Sequence, residues 1–117
     1  MLPEPDRVRL RHMLDAATKA VRFAEGRGRG DLEKDEEPLA DALVRLVSVI
    51  GEAASRVSPA TRSEIRTIPW PDMVGMRNRL VHDYFDINLD ILWATVQDNL
   101  PSLIQALELI LAQDEEA

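Results

Sequence analysis

EEPLADALVRLVSVIGEAASRV, residues 36–57, is the stretch on which the fold class turns. Leu39, Leu43, Leu46, Ile50 and Val57 recur at steps of four, three and seven, with Val47 and Ala54 beside them. That is the period of an apolar stripe along an α-helix, not the two-residue alternation of a half-buried strand. Pro38 is tolerated only near a helix start, which places that start close to Asp35. Gly51, inside the pattern, costs about 1 kcal/mol against alanine. A glycine there is expected where a neighbouring helix packs closely.

Working outward, residues 4–25 repeat the rhythm through Leu10, Leu14, Ala17, Val21 and Ala24, with Met13, Ala20 and Phe23 widening the stripe. Asp6 falls in the first turn, where negative charge is favoured, and Gly26 supplies a stop. GRGRGDLEK, residues 26–34, is a glycine-rich connector; its Arg27 and Arg29 either touch phosphate or are simply solvated. Towards the C-terminus, Ser58-Pro59 reads as an N-cap and first helical position, opening a short helix over 59–66. Ile68-Pro69-Trp70-Pro71 is a break, with Trp70 as its anchor, and a third long helix is expected over 71–83. Asn88 caps a last helix over 88–112, with Leu92, Val96, Leu103, Leu107 and Ile110 inward; Pro101 is expected to kink or interrupt it. No stretch alternates like a strand. The expectation is one all-α domain over residues 1–117, an antiparallel up-and-down bundle of four or five helices.

The chain has 117 residues and no cysteine. One modest core is therefore feasible, while disulfides, thiolate nucleophiles and sulfur-ligated zinc are excluded. Residues 1–10 do not resemble a secretory signal, and the apolar run Leu109 to Ala112 is far too short for a bilayer. A soluble, cytoplasmic protein with no membrane partner is expected. The net charge of −7, from 21 acidic and 14 basic residues, argues against a general nucleic-acid coat and against DNA as a partner. Between Arg56 and Arg79, however, Arg56, Arg62, Arg66, Arg77 and Arg79 face only Glu64 and Asp72, so a local basic surface is compatible with an acidic chain.

Few residues can carry chemistry. GRGRG follows a helix and lacks the lysine of a phosphate-binding P-loop. His12 and His82 are the two histidines, with no paired-histidine metal spacing; no metal and no cofactor are expected. His12, between Arg11 and Met13, reads as structural or exposed. His82 stands within RNRLVHDYF, residues 77–85. If the helix ran on, Asn78 and His82 would share a face, Arg77 would align with Tyr84, and Arg79 with Asp83 at i,i+4 would form a surface pair. Arg77 and His82 would then lie about 140° apart, needing a bend or a second chain to meet. A histidine can take a proton from an RNA 2′-hydroxyl or give one to the leaving 5′-oxygen. An arginine offers forked donors to the phosphate, and a tyrosine binds phosphate or stacks on a base. An Arg-His-Tyr group can equally anchor a turn by satisfying carbonyls and nearby Asp72, Asp83 or Asp86.

At these residues the chain resembles the HepT-like branch of the HEPN family. Arg77, His82 and Tyr84 match its R-x(4–6)-H-x-Y motif. Ile50-Gly51-Glu52-Ala53 resembles its IGEA segment, Ile68-Pro69-Trp70 its IPW segment, and Gly75 to Phe85 its GMRNxLxHxYF segment. Trp93 and Leu100-Pro101 fall where its final helix would place them, so the likeness covers about residues 5–112. The resemblance implies a HEPN-like bundle and the toxin of a type VII-like toxin–antitoxin system: a metal-independent ribonuclease cutting tRNA or mRNA, usually as a homodimer. Arg77 and His82 are then the catalytic pair, with Asn78, Arg79 and Asp83 in support or on RNA. It further implies a minimal nucleotidyltransferase antitoxin as partner, which silences the toxin by transferring AMP to Tyr84. The alternative is a non-enzymatic helical dimer that docks a nucleotidyltransferase or binds nucleotide for it.

Overall fold

The computed structural model describes residues 1–34, 38–83 and 86–116. The chain is an all-α bundle. Helix α1 (Glu4–Ala24) packs on α2 (Leu39–Ser55) and on α6 (Leu100–Glu116), while α2 also packs on α4 (Trp70–Leu80). The start of α1 meets the end of α6: Arg7 Nε bonds Asp114 Oδ2 at 2.6 Å, and Leu2 N–H donates to Asp114 Oδ1 at 2.6 Å. Arg7 and this backbone N–H hold the Asp114 carboxyl below its usual pKa, the Leu2 bond contributing most.

The apolar stripes build the core. Leu10, Met13, Ala17 and Ala20 of α1 and Leu43, Val47 and Ile50 of α2 are fully buried. The alanines on α1 leave room for close helix packing. Phe23, counted on the stripe, instead lies at the surface with Lys19 Nζ 5.6 Å from its ring centroid. Gly51 has the expected cause: a Cβ there would sit 3.0 Å from Met73 O and 3.4 Å from Val74 O of α4.

Several boundaries differ from expectation. Helix α2 begins at Leu39, with Pro38 at its N-cap (φ −78°, ψ 41°), because a proline needs neither helical dihedrals nor an N–H at that position. Residues 35–37, where the start was expected, lie outside the described residues. Helix α3 (Pro59–Glu64) opens as expected, with Ser58 accepting from Thr61 N–H, but ends before Ile65, which turns extended. Ile65 O then accepts from Trp70 Nε1 at 2.9 Å, so the buried Trp70 anchors the break.

The expected 88–112 helix is divided differently. Asn88 caps α5 (Leu89–Ala94), a π-helical turn spans Thr95–Asn99, and α6 runs on from Leu100. Leu100 N–H bonds Thr95 O. Pro101 has no N–H to give the preceding turn, and the widened turn just before it lets the helix continue. Among the described residues, no helix is long and apolar enough to cross a membrane.

A buried polar knot ties α1 to α3. Asp6, 3% exposed, accepts from Ser58 N–H (2.9 Å), Ser58 Oγ (2.6 Å) and Thr61 Oγ1 (2.5 Å). From sequence it reads only as a first-turn charge.

Candidate active site

The core face of α4 is Trp70, Met73, Met76 and Leu80. Arg77, Asn78 and Arg79 fall off that stripe and are exposed in the last turn, where the helix dipole favours cations. Arg77 O accepts the Val81 N–H that closes the helix end, and the side chains of Arg77 and Asn78 make no hydrogen bond or ion pair with another described residue. Arg79 folds back along its own helix, its Nη2 donating to Asp72 O at 3.0 Å.

Helix α4 ends at Leu80, not at residue 83. Val81 adopts φ −117°, ψ 110°, and strand β1 (Val81–Asp83) pairs antiparallel with β2 (Asp86–Ile87), matching Val81 to Ile87 and Asp83 to Asp86. The β-branched Val81 favours this extended run over another helical turn. With the helix over at Leu80, Asn78 and His82 do not share a helix face and Arg79 and Asp83 are not one helical turn apart; the expected alignment of Arg77 with Tyr84 and the Arg79–Asp83 pair lie outside the described residues. The angle of about 140° between Arg77 and His82 loses its basis too, since it assumed continuous helix. With it goes the need for a bend or second chain that the angle suggested. His82 occupies the middle of β1, two residues past the helix end. Tyr84 lies outside the described residues, as do the side chains of His82 and Asp83.

The end of α4 is a junction. Asn88 N–H donates to Leu80 O at 2.7 Å, returning the chain to that end. Two residues on, Asp90 Oδ1 receives Arg29 Nε at 2.8 Å, while Arg29 Nη1 reaches Glu33 at 3.2 Å. The glycine-rich connector, a 3-10 turn over Arg29–Glu33, is thus fastened to α5 beside the motif. Within the turn, Lys34 and the Gly28 N–H hold the Asp31 carboxyl below its usual pKa. Arg29 and Asp90 are 61 residues apart, and nothing in the sequence marks them as partners.

The expected basic surface over 56–79 is only partly available. Arg56 pairs with Glu52 at 2.9 Å. Arg62 donates to Val57 O (2.9 Å) and Ser55 O (2.7 Å), closing the end of α2. Arg66 and Arg77 stay exposed. His12 is exposed on α1, as its neighbours suggested. What the geometry offers for chemistry is an exposed guanidinium on the last turn of α4 and a histidine five residues later, on the strand that follows it.

Residues 13–110 match the Ribonuclease HepT-like family. A candidate RNase of Caldanaerobacter subterraneus subsp. tengcongensis is 31% identical over 91% of this chain and 94% of its own. Another, of Methanocaldococcus jannaschii, is 29% identical over 84% of this chain and 89% of its own. A ribonuclease HepT candidate of Thermococcus cleftensis is 37% identical over 53% of this chain and 56% of its own. No solved structure matches the chain. With the match spanning both the bundle and the Arg77–His82 segment, the chain belongs to the Ribonuclease HepT-like family.

Proposed function

We propose that the chain is a metal-independent ribonuclease in which Arg77 and His82 are the catalytic pair. The observation that supports this is Arg77, exposed on the last turn of α4, at a helix end immediately followed by the strand bearing His82.

The chemistry follows from the two side chains and RNA itself. His82 takes the proton of a 2′-hydroxyl, whose oxygen attacks the adjacent phosphorus. The 2′-O–P bond forms, the P–O5′ bond breaks, and the leaving 5′-oxygen gains a proton from an imidazolium or water. The products are a 2′,3′-cyclic phosphate and a 5′-hydroxyl. Arg77 holds the non-bridging oxygens as their charge grows. Because the nucleophile is internal, no metal-activated water is called for. Asn78 and Asp83 support RNA binding in this reading; Arg79, folded onto Asp72 O, helps chiefly by fixing the last turn.

In a cell, the chain acts in the cytoplasm as the toxin of a two-gene system, as a homodimer that brings two such motifs together, with tRNA or mRNA as substrate. A minimal nucleotidyltransferase antitoxin places AMP on Tyr84, adding bulk and negative charge two residues from His82 and repelling RNA phosphate. Family membership and the adjacency of Tyr84 to His82 support this assignment.

The test is cleavage of total cellular RNA by purified chain in EDTA beside His82→Ala, with intact mass showing Tyr84 unmodified. Cleavage by wild type alone is expected. No cleavage by demonstrably unmodified protein favours instead a non-enzymatic partner of the nucleotidyltransferase, for which the net charge of −7 is better suited.

A further inference from the structure

Away from the motif, two arginines and a histidine line one recess. The seam between α1 and α2 holds a recess of about 180 Å³ lined by Arg9 and His12 from α1, Val49, Glu52 and Ala53 from α2, and Arg56 at the C-cap of α2. The spacings make it: Arg9 and His12 are one turn apart, and Val49, Glu52, Ala53 and Arg56 follow at helical steps along the facing edge. Glu52 Oε1 holds Arg56 Nη2 at 2.9 Å, which orients one edge of the guanidinium and leaves its other N–H groups to a ligand. The side chains of Arg9 and His12 make no hydrogen bond or ion pair with another described residue. Arg9 and Arg56 against Glu52 leave a local charge of +1, or +2 with His12 protonated, on a chain whose net charge is −7. Val49, 38% exposed, and Ala53 give the recess an apolar floor.

We propose that this groove is a second phosphate-binding subsite, which holds the RNA strand away from the scissile bond. Two guanidiniums and an imidazole converging on one recess suit a phosphodiester oxygen pair. The apolar floor with the His12 ring beside it suits a ribose or base. The groove also lies within reach of the motif. Glu52 follows Gly51, the residue at which α2 touches Met73 and Val74 of α4, and Arg77 is one turn, about 6 Å, farther along α4. An RNA strand that spans the width of α2, about 10 Å, would join the groove to Arg77. The proposal rests on the ribonuclease reading for its ligand, though not for the groove's affinity for phosphate.

The experiment uses the full chain and two probes. A fluorescent 12-nucleotide RNA with every 2′-hydroxyl methylated, which cannot be cut by internal attack, is titrated by anisotropy at three salt concentrations. Arg9→Gln/Arg56→Gln is compared with wild type and with Lys19→Gln/Arg22→Gln, which removes the same charge on another face. Binding about 10-fold weaker, with the salt slope lower by about 0.7 for one lost phosphate contact, is expected from the groove variant alone. Inorganic phosphate is then titrated while His12 ring resonances are followed by NMR; they shift in wild type and stay fixed in Arg9→Gln/Arg56→Gln. Equal weakening in both charge variants, or an unmoved His12, overturns the groove. So does a groove variant that changes oligomeric state, which assigns the face to a subunit contact. RNA left unbound by wild type, with the His12 shift intact, refutes the ribonuclease reading and keeps the phosphate site.

Discussion

Replacing Asp6 by alanine tests whether the start of α1 is held by a buried charge. The carboxylate, 3% exposed, accepts three hydrogen bonds, from Ser58 N–H, Ser58 Oγ and Thr61 Oγ1. A bond to a charged group is worth about 1.5–3 kcal/mol. The three share two residues and are not additive, and both hydroxyls can turn towards new partners, so a total loss of about 3 kcal/mol is expected. At roughly 2.1 cal/mol/K per residue, unfolding 117 residues carries an entropy near 0.25 kcal/mol/K, so the melting temperature should fall by about 12 °C. The pH dependence gives a second signature. Burial pushes the Asp6 pKa up, but hydrogen bonds from Ser58 and Thr61, and the charge of Arg62, outweigh it and leave the pKa below its ordinary 3.8. A carboxyl with a depressed folded pKa contributes stability that is full above the unfolded value and lost as pH falls through the folded one. The gap between wild type and Asp6→Asn in thermal melts should therefore be constant from pH 5 to 7 and narrow below about pH 4. An Asp6→Ala melting temperature within about 2 °C of wild type at pH 6 would refute the role given to the knot.

Three further outcomes are expected. Gly51→Leu drives a side chain into the Met73 and Val74 carbonyls and should destabilise the chain by about 1–3 kcal/mol; a melt equal to wild type would mean α2 and α4 are not in close contact. Trp70→Phe stays aromatic but loses the 2.9 Å bond to Ile65 O and part of the buried indole, a loss of at least about 1 kcal/mol in denaturant titration, with an unchanged midpoint counting against the anchor. Arg77→Lys retains charge without the fork and should lower kcat by about 10²-fold with the melting temperature unchanged, whereas wild-type turnover would remove Arg77 from the reaction.

Legibility in the sequence followed the range of the interactions. The stripes of α1 and α2, the Ser58 and Asn88 caps and the Trp70 anchor depend on neighbours within a turn or two, and all are present in the fold. Gly51 was legible as a packing glycine, though not which helix it meets. The end of α4 was not legible: Leu80-Val81-His82 continues an apolar spacing that suits helix, and the chain leaves it because Asp86–Ile87 offers a strand partner and Leu80 O a bond from Asn88. The helical-wheel geometry at the candidate site failed with that one boundary. Asp6, Arg29 and the α1–α2 groove were illegible for another reason, since their partners lie 30 or more residues away in sequence. Arg77 and His82 were singled out by residue type and by resemblance to a motif, and their role rests on the chemistry proposed.

The most direct measurement is of the ends left on a defined RNA cut by the unmodified chain in EDTA. Mass spectrometry should find a 2′,3′-cyclic phosphate and a 5′-hydroxyl with wild type and no cleavage with His82→Ala. Products bearing a 5′-phosphate, or cleavage that survives His82→Ala, would contradict His82-driven attack by the 2′-hydroxyl.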